Sequence, residues 1–148
     1  MKTLKKFEEF ITENIVKKRK PDISRAQFLI EESEKNYSFL LELLEKIEIT
    51  DTNANSFIKT CYDLFMEMIR AKLFMDGYAV SGFGAHEAEV AYLREIGFID
   101  KEVEFLDQLR YFRNGMLYYG TLLDKEYALQ VIAFTKKNYI VLKNLVHL

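Results

Sequence analysis

Arg113 and Asn114, followed after three intervening residues by Tyr118, are the residues whose types and spacing bear most directly on chemistry. They stand in the stretch Asp107-Gln108-Leu109-Arg110-Tyr111-Phe112-Arg113-Asn114-Gly115-Met116-Leu117-Tyr118-Tyr119-Gly120. Leu106, Leu109, Phe112, Met116 and Leu117 recur at helical spacing, and Arg113 falls within the angular range of that apolar face. A guanidinium placed there keeps its charge and needs an acceptor: a carboxylate such as Asp107, another subunit, a backbone carbonyl or a ligand phosphate. Asp107 and Arg110 are spaced i, i+3, which holds those two together and leaves Arg113 to find something else. Tyr118 is a poor general base at neutral pH, because a phenol titrates near about 10. At about 100° per residue Tyr118 lies about 140° around the helix from Arg113, so a site using both suits a cleft between two copies better than one isolated helix. Tyr118 and Tyr119 read first as core or interface residues whose hydroxyls reach water, with base stacking as the functional alternative.

Other reactive residue types are sparse. Of the two histidines, His86 sits at a helix start beside glycines and reads as a capping or packing residue, while His147 is next to the last position. Two histidines so far apart, with no carboxylates at ligand spacing, make no metal site, and no cofactor is implied. The lone Cys61 excludes an internal disulfide and reads as a buried core residue. Gly82-Phe83-Gly84 lacks a third glycine and a preceding strand, so it reads as a turn and not as a dinucleotide or phosphate loop. Lys17-Lys18-Arg19-Lys20 reads as the cationic last turn of a helix, favoured by the helix dipole, with a phosphate-binding patch as the alternative.

These residues need helices to position them. The pattern predicts a first helix over 3 to 19, ending before Pro21, and a second opening on the capping box Ser24-Arg25-Ala26-Gln27. The second carries the seam Ala26, Ile30, Ser33, Tyr37, Leu40, Leu44 and Ile47. After a polar turn from Thr50 to Asn55, a third helix is apolar around much of its girth and should be central; its methionines fill core space. It should stop at Gly77. A short helix from Ala85 to Ile96, one capped by Asp100 and a last one starting at Asp124 complete the set, with no strand alternation. The fold class expected is all-α, an antiparallel up-and-down bundle of five to six helices.

At 148 residues, with 49% hydrophobic and 30% charged residues, the chain suits a single domain over 1-148 that buries about two thirds of its unfolded surface. Glu8 and Glu9 interrupt any signal-peptide reading, and no window is long and apolar enough for a membrane span, so a cytoplasmic protein is expected. A net charge of -2 means that nucleic-acid contact would need a local basic patch.

On Pro21-Asp22, the long second and third helices, Gly77-Tyr78, Ala85-His86-Glu87 and Leu109-Arg110 through Gly120, the chain resembles the HEPN family of small all-α domains. The specific part is Arg113-Asn114 with Tyr118, similar to that family's arginine, adjoining polar residue and a histidine separated from the arginine by four positions; here Tyr118 stands where the histidine would be. The resemblance implies a metal-independent endoribonuclease site at a homodimer cleft, with the arginine stabilising phosphate charge and the histidine moving protons. Carried onto this chain, it implies Arg113, Asn114 and Tyr118 as the catalytic positions, and Asp107, Arg110 and Tyr119 as ligand-binding or supporting residues. With tyrosine in the histidine position, the expected function is binding of RNA or a nucleotide phosphate with degenerate or absent cleavage. The alternatives are an active, toxin-like endoribonuclease and a non-catalytic helical module partnering a nucleotidyltransferase.

Overall fold

The computed structural model of the chain describes residues 3–119 and 123–146, with residues 115–119 described as backbone only. Helix α1 is short, Phe7–Thr12, because Asn14 takes a left-handed conformation (φ 63°) that asparagine tolerates better than most residues. Ile15 then donates back to the Phe10 carbonyl at 3.0 Å, and the chain leaves as strand β1, Val16–Lys18. Its partner is β2, Tyr78–Val80, antiparallel, with Val16 opposite Val80, Lys17 opposite Ala79 and Lys18 opposite Tyr78. Both the helix expected over 3 to 19 and the expected absence of strands are thereby overturned. The basic run therefore does not close a helix: Lys17 and Lys18 lie in β1, and Arg19 and Lys20 follow it, all four exposed.

The ribbon is tied further along. The Arg19 amide donates to the Gly77 carbonyl at 2.7 Å and the Asp22 amide to the Phe74 carbonyl at 3.0 Å. With its backbone fixed there, Asp22 becomes the N-cap of α2, Ile23–Lys46, its carboxylate accepting from the Arg25 amide at 3.1 Å. The cap thus falls two residues before the expected Ser24. The α2 seam forms as its spacing requires, with Ala26, Ser33 and Leu40 buried and Ile30, Tyr37 and Leu44 partly so; Ile47, past the last turn, stays exposed.

Helix α3, Ala54–Asp76, is buried on nearly every side, from Phe57 and Ile58 through Leu64, Phe65, Met66 and Met68 to Leu73. It packs chiefly against α2 and against α6, Lys125–Leu145, and also meets α4, Ala85–Glu95, and α5, Asp100–Tyr119. The six helices make an antiparallel all-α bundle with the small ribbon at one side. Asp100, expected as a cap, is the first helical residue of α5, whereas Asp124 caps α6 as expected, accepting from the Tyr127 amide at 2.9 Å. Inside, the Ser33 hydroxyl donates to the Leu64 carbonyl at 2.6 Å, and the Tyr37 and Tyr139 rings meet at 4.1 Å, so α2, α3 and α6 are registered by polar and aromatic contacts together. Among the described residues no helix is long and apolar enough to cross a membrane.

Gly77 ends α3 in a left-handed conformation (φ +85°), and a Cβ there would stand 2.7 Å from the Arg19 carbonyl oxygen. Gly77→Ala should cost more than about 2 kcal/mol, left-handed strain plus displacement of the ribbon. Gly82→Ala, at φ +86° with open space around it, should cost only the strain; comparing urea midpoints of the two variants checks this.

Burial raises the Cys61 thiol from 9.0 to about 11 and the phenols of Tyr62, Tyr127 and Tyr139 from 10.0 to about 12. In each case the fold favours the protonated form, so the stabilisation is complete below the unfolded values and is lost as pH rises through the folded ones. Urea midpoints should accordingly hold up to about pH 9 and fall from there to about pH 12, with Cys61→Ala removing the earliest part of the fall.

Candidate functional site

On α5 the inward face is set by Val103, Leu106 and Leu109, and the polar residues sharing that side are drawn in with them: Asp107 is 3% and Arg110 9% exposed. The acidic first turn, Asp100 and Glu102, suits the positive end of the helix dipole. Rings hold the helix in place, since Phe105 stacks on Phe134 at 4.6 Å and Phe112 meets Tyr127 edge-on at 5.6 Å, both across to α6.

A buried guanidinium and a buried carboxylate must answer each other. Arg110 Nε donates to Asp107 Oδ1 at 2.8 Å, and its Nη1 lies 3.8 Å from Glu87 Oε1 on α4. The i, i+3 expectation for this pair is met, and Asp107 is committed to Arg110. Arg113, one turn further along, is half-buried, and its Nε is inaccessible to solvent with no acceptor among the described residues. Asn114 beside it is exposed. The side chains of Tyr118 and Tyr119 lie outside the described residues, as do Gly120 and His147; only the helical backbone of the two tyrosines is described.

Asp107, Arg110 and Tyr111 line a cleft of about 610 Å³ together with Glu87 and the segment Thr3 to Lys5. Arg113 and Asn114 are not among its lining residues. Of the sequence-derived set, then, Asp107 and Arg110 are brought together as a pair, and Arg113 is set apart from them with a donor to spare.

A second constellation was not foreseen. Glu89 on α4, 5% exposed, receives Arg70 Nε from α3 at 2.6 Å on one oxygen and faces His86 Nδ1 at 2.8 Å with the other. Burial pulls the Arg70 pKa down, but Glu89, by charge and by hydrogen bond, more than reverses that, and the guanidinium stays charged. His86 is thus oriented by a carboxylate and not simply packed at a helix start. Tyr62 feels both arginines: burial raises its phenol to about 12, Glu89 adds to the rise, and Arg110 and Arg70 oppose it. The i, i+3 spacing of His86 and Glu89 was readable in the sequence, but Arg70 carries no local signal, because its approach depends on how α3 crosses α4.

No family model, curated protein or solved structure matches this chain.

The two arginines of α5 should answer substitution differently. Asp107→Ala strands the buried Arg110 charge with only the more distant Glu87 nearby and should cost about 3 kcal/mol. Arg113→Met removes a donor with no described acceptor while keeping the aliphatic stem, and should cost less than about 1 kcal/mol or stabilise the chain. Chemical denaturation of the two variants beside the parent decides it; a large loss in Arg113→Met would mean the arginine serves the fold.

Proposed function

We propose that this chain is a HEPN-like domain that binds RNA or a nucleotide phosphate through Arg113 and Asn114 at a cleft between two copies, with ribonuclease activity degenerate or absent. The observation that carries the reading is the buried Arg113 Nε, without an acceptor among the described residues while the neighbouring Arg110 takes Asp107. A charged group with an unused buried donor is costly to keep in a folded chain unless something else supplies the acceptor. Phosphate oxygens suit it, because a guanidinium presents planar, permanently charged donors that match them. Asn114, exposed alongside, adds a neutral donor and acceptor at the same helix end.

The argument for weak or absent cleavage is chemical. Phosphodiester cleavage by attack of the RNA 2′-hydroxyl requires a group that can take and return a proton near neutral pH. With Tyr118 in the histidine position, Arg113 supplies charge stabilisation without the matching acid or base. Asp107 and Arg110 then act as a fixed support that sets the pitch and rotation of α5, and Tyr119 is a candidate for stacking on a base.

A helical interaction module, for instance one partnering a nucleotidyltransferase, is the second reading. It draws support from the apolar side chains left exposed on α2 and α6: Phe28 and Phe39 on the first, Ile140 and Val141 on the second.

The decisive comparison incubates a labelled RNA pool with the parent chain, Arg113→Ala and Tyr118→His in EDTA at matched concentrations, reading cleavage and binding on the same samples. Binding that weakens about tenfold or more in Arg113→Ala, without cleavage by the parent, is expected from the loss of a charge-assisted contact. Gain of cleavage in Tyr118→His would reinforce the reading. Cleavage by the parent that vanishes in Arg113→Ala would replace it with an active nuclease, and no RNA binding at all would leave the interaction module.

A further inference from the structure

The Arg70, Glu89 and His86 cluster opens onto a cleft of about 210 Å³ walled by Leu73, Phe74, Tyr78 and Val80. We propose that this cleft is a second binding site, independent of Arg113, for a phosphomonoester whose oxygens are held by Arg70 Nη1 and His86 Nε2 while its organic part lies against the apolar wall.

Glu89 takes the Nε and Nη2 edge of Arg70, at 2.6 and 3.4 Å, and fixes His86 through Nδ1 at 2.8 Å. What is left is Nη1 of the guanidinium, with no protein partner among the described residues, and Nε2 of the imidazole, whose side chain is 58% exposed. Because Nδ1–H is the proton given to Glu89, Nε2 donates to a phosphate oxygen only from the imidazolium form, so the ligand-bound state is one in which His86 carries both ring protons. Glu89 itself, 5% exposed and bonded on both oxygens, is a support for the two donors and presents little free charge to a ligand.

A carboxylate binds best to both nitrogens along one guanidinium edge, and the edge carrying Nε is already occupied. Two single donors on separate groups suit a tetrahedral oxyanion, which offers oxygens in several directions. Arg25 of α2 lies over the Phe74 ring at 5.2 Å and Lys18 stands opposite Tyr78 in the ribbon, while Asp63 and Glu67 on α3 are acidic groups whose charges reach Arg70. The α4 helix also begins here, at Gly84, with no side chain capping it. The apolar wall distinguishes the site from a bare anion patch, since a few convergent polar groups in a mostly hydrophobic cleft are what small-molecule sites share.

The test follows the imidazole resonances of the full chain, which has two histidines, during titration with phenyl phosphate, inorganic phosphate and phenol. Phenyl phosphate should shift the His86 signals saturably, inorganic phosphate should do so more weakly, and phenol should not. His86→Gln should weaken phenyl phosphate binding about tenfold, as loss of one charge-assisted contact does, while leaving the Arg70–Glu89 pair intact. Arg70→Lys should weaken it as well, but His86→Gln is decisive because that side chain is exposed and its loss leaves the fold in place. A matched pair of short oligoribonucleotides, with and without a 5′-phosphate, separates the sources. Tighter binding that needs the 5′-phosphate assigns the site to RNA ends, and binding no tighter than phenyl phosphate assigns it to free metabolites. Absence of a saturable shift, an equal response to phenol, or unchanged affinity in His86→Gln overturns the proposal.

Discussion

Burial of α3 on nearly all sides is the constraint from which the remaining arrangement follows. A helix that contributes Ile58, Leu64, Phe65, Met66, Met68 and Ile69 to the interior leaves almost no surface on which its own polar residues can meet water. Asp63, Glu67 and Arg70 share one narrow strip, where partly covered groups must be answered by neighbouring helices, while Lys72 and Asp76 on the other side pair with each other at 3.1 Å. Asn36 of α2 answers Glu67 at 2.9 Å, and Glu89 of α4 answers Arg70. Burial nonetheless leaves the Glu67 carboxyl above its ordinary pKa, as expected when one amide bond replaces water around a carboxylate. α4 is held by its buried Ala88, Val90, Ala91 and Leu93, and the answer to a charge on α3 helps to set its position and that of His86.

The same logic separates the arginines of the chain. Arg70 and Arg110 each have a carboxylate within hydrogen-bonding distance, and Arg94 donates to the carbonyls of Leu4 and Lys5 at 3.2 and 3.0 Å, clamping the N-terminal segment. All three close the structure. Arg113 differs in kind, because its Nε is enclosed without an acceptor among the described residues.

Sequence pattern resolved the long elements because their periodicity is local. The α2 seam, the girth of α3, the stop at Gly77 and the Asp124 cap all depend on residues within a few turns of one another, and all appear in the structure. The ribbon escaped because each strand has three residues, too few for alternation to register, and because β1 is stabilised by a partner on the far side of two long helices. The α2 cap shifted for a related reason, since Asp22 is held by the Phe74 carbonyl, a contact that no local window contains. At the candidate site the Asp107–Arg110 pair was legible from its spacing, while the Arg70–Glu89 contact was not. Pairings along one helix can be counted from sequence, and pairings between helices require the crossing to be known.

The ribbon has one more consequence. Among the described residues the sheet has two strands, so β1 and β2 each keep an outer edge whose backbone groups have no neighbour within the sheet. An open strand edge is a template on which another chain can add itself, and short length with lysine along the margin is a common protection against it. Lys17 and Lys18 occupy that margin, with Arg19 and Lys20 directly after them. Mutual repulsion between two such edges disfavours their meeting, a role for the cationic run that requires no ligand.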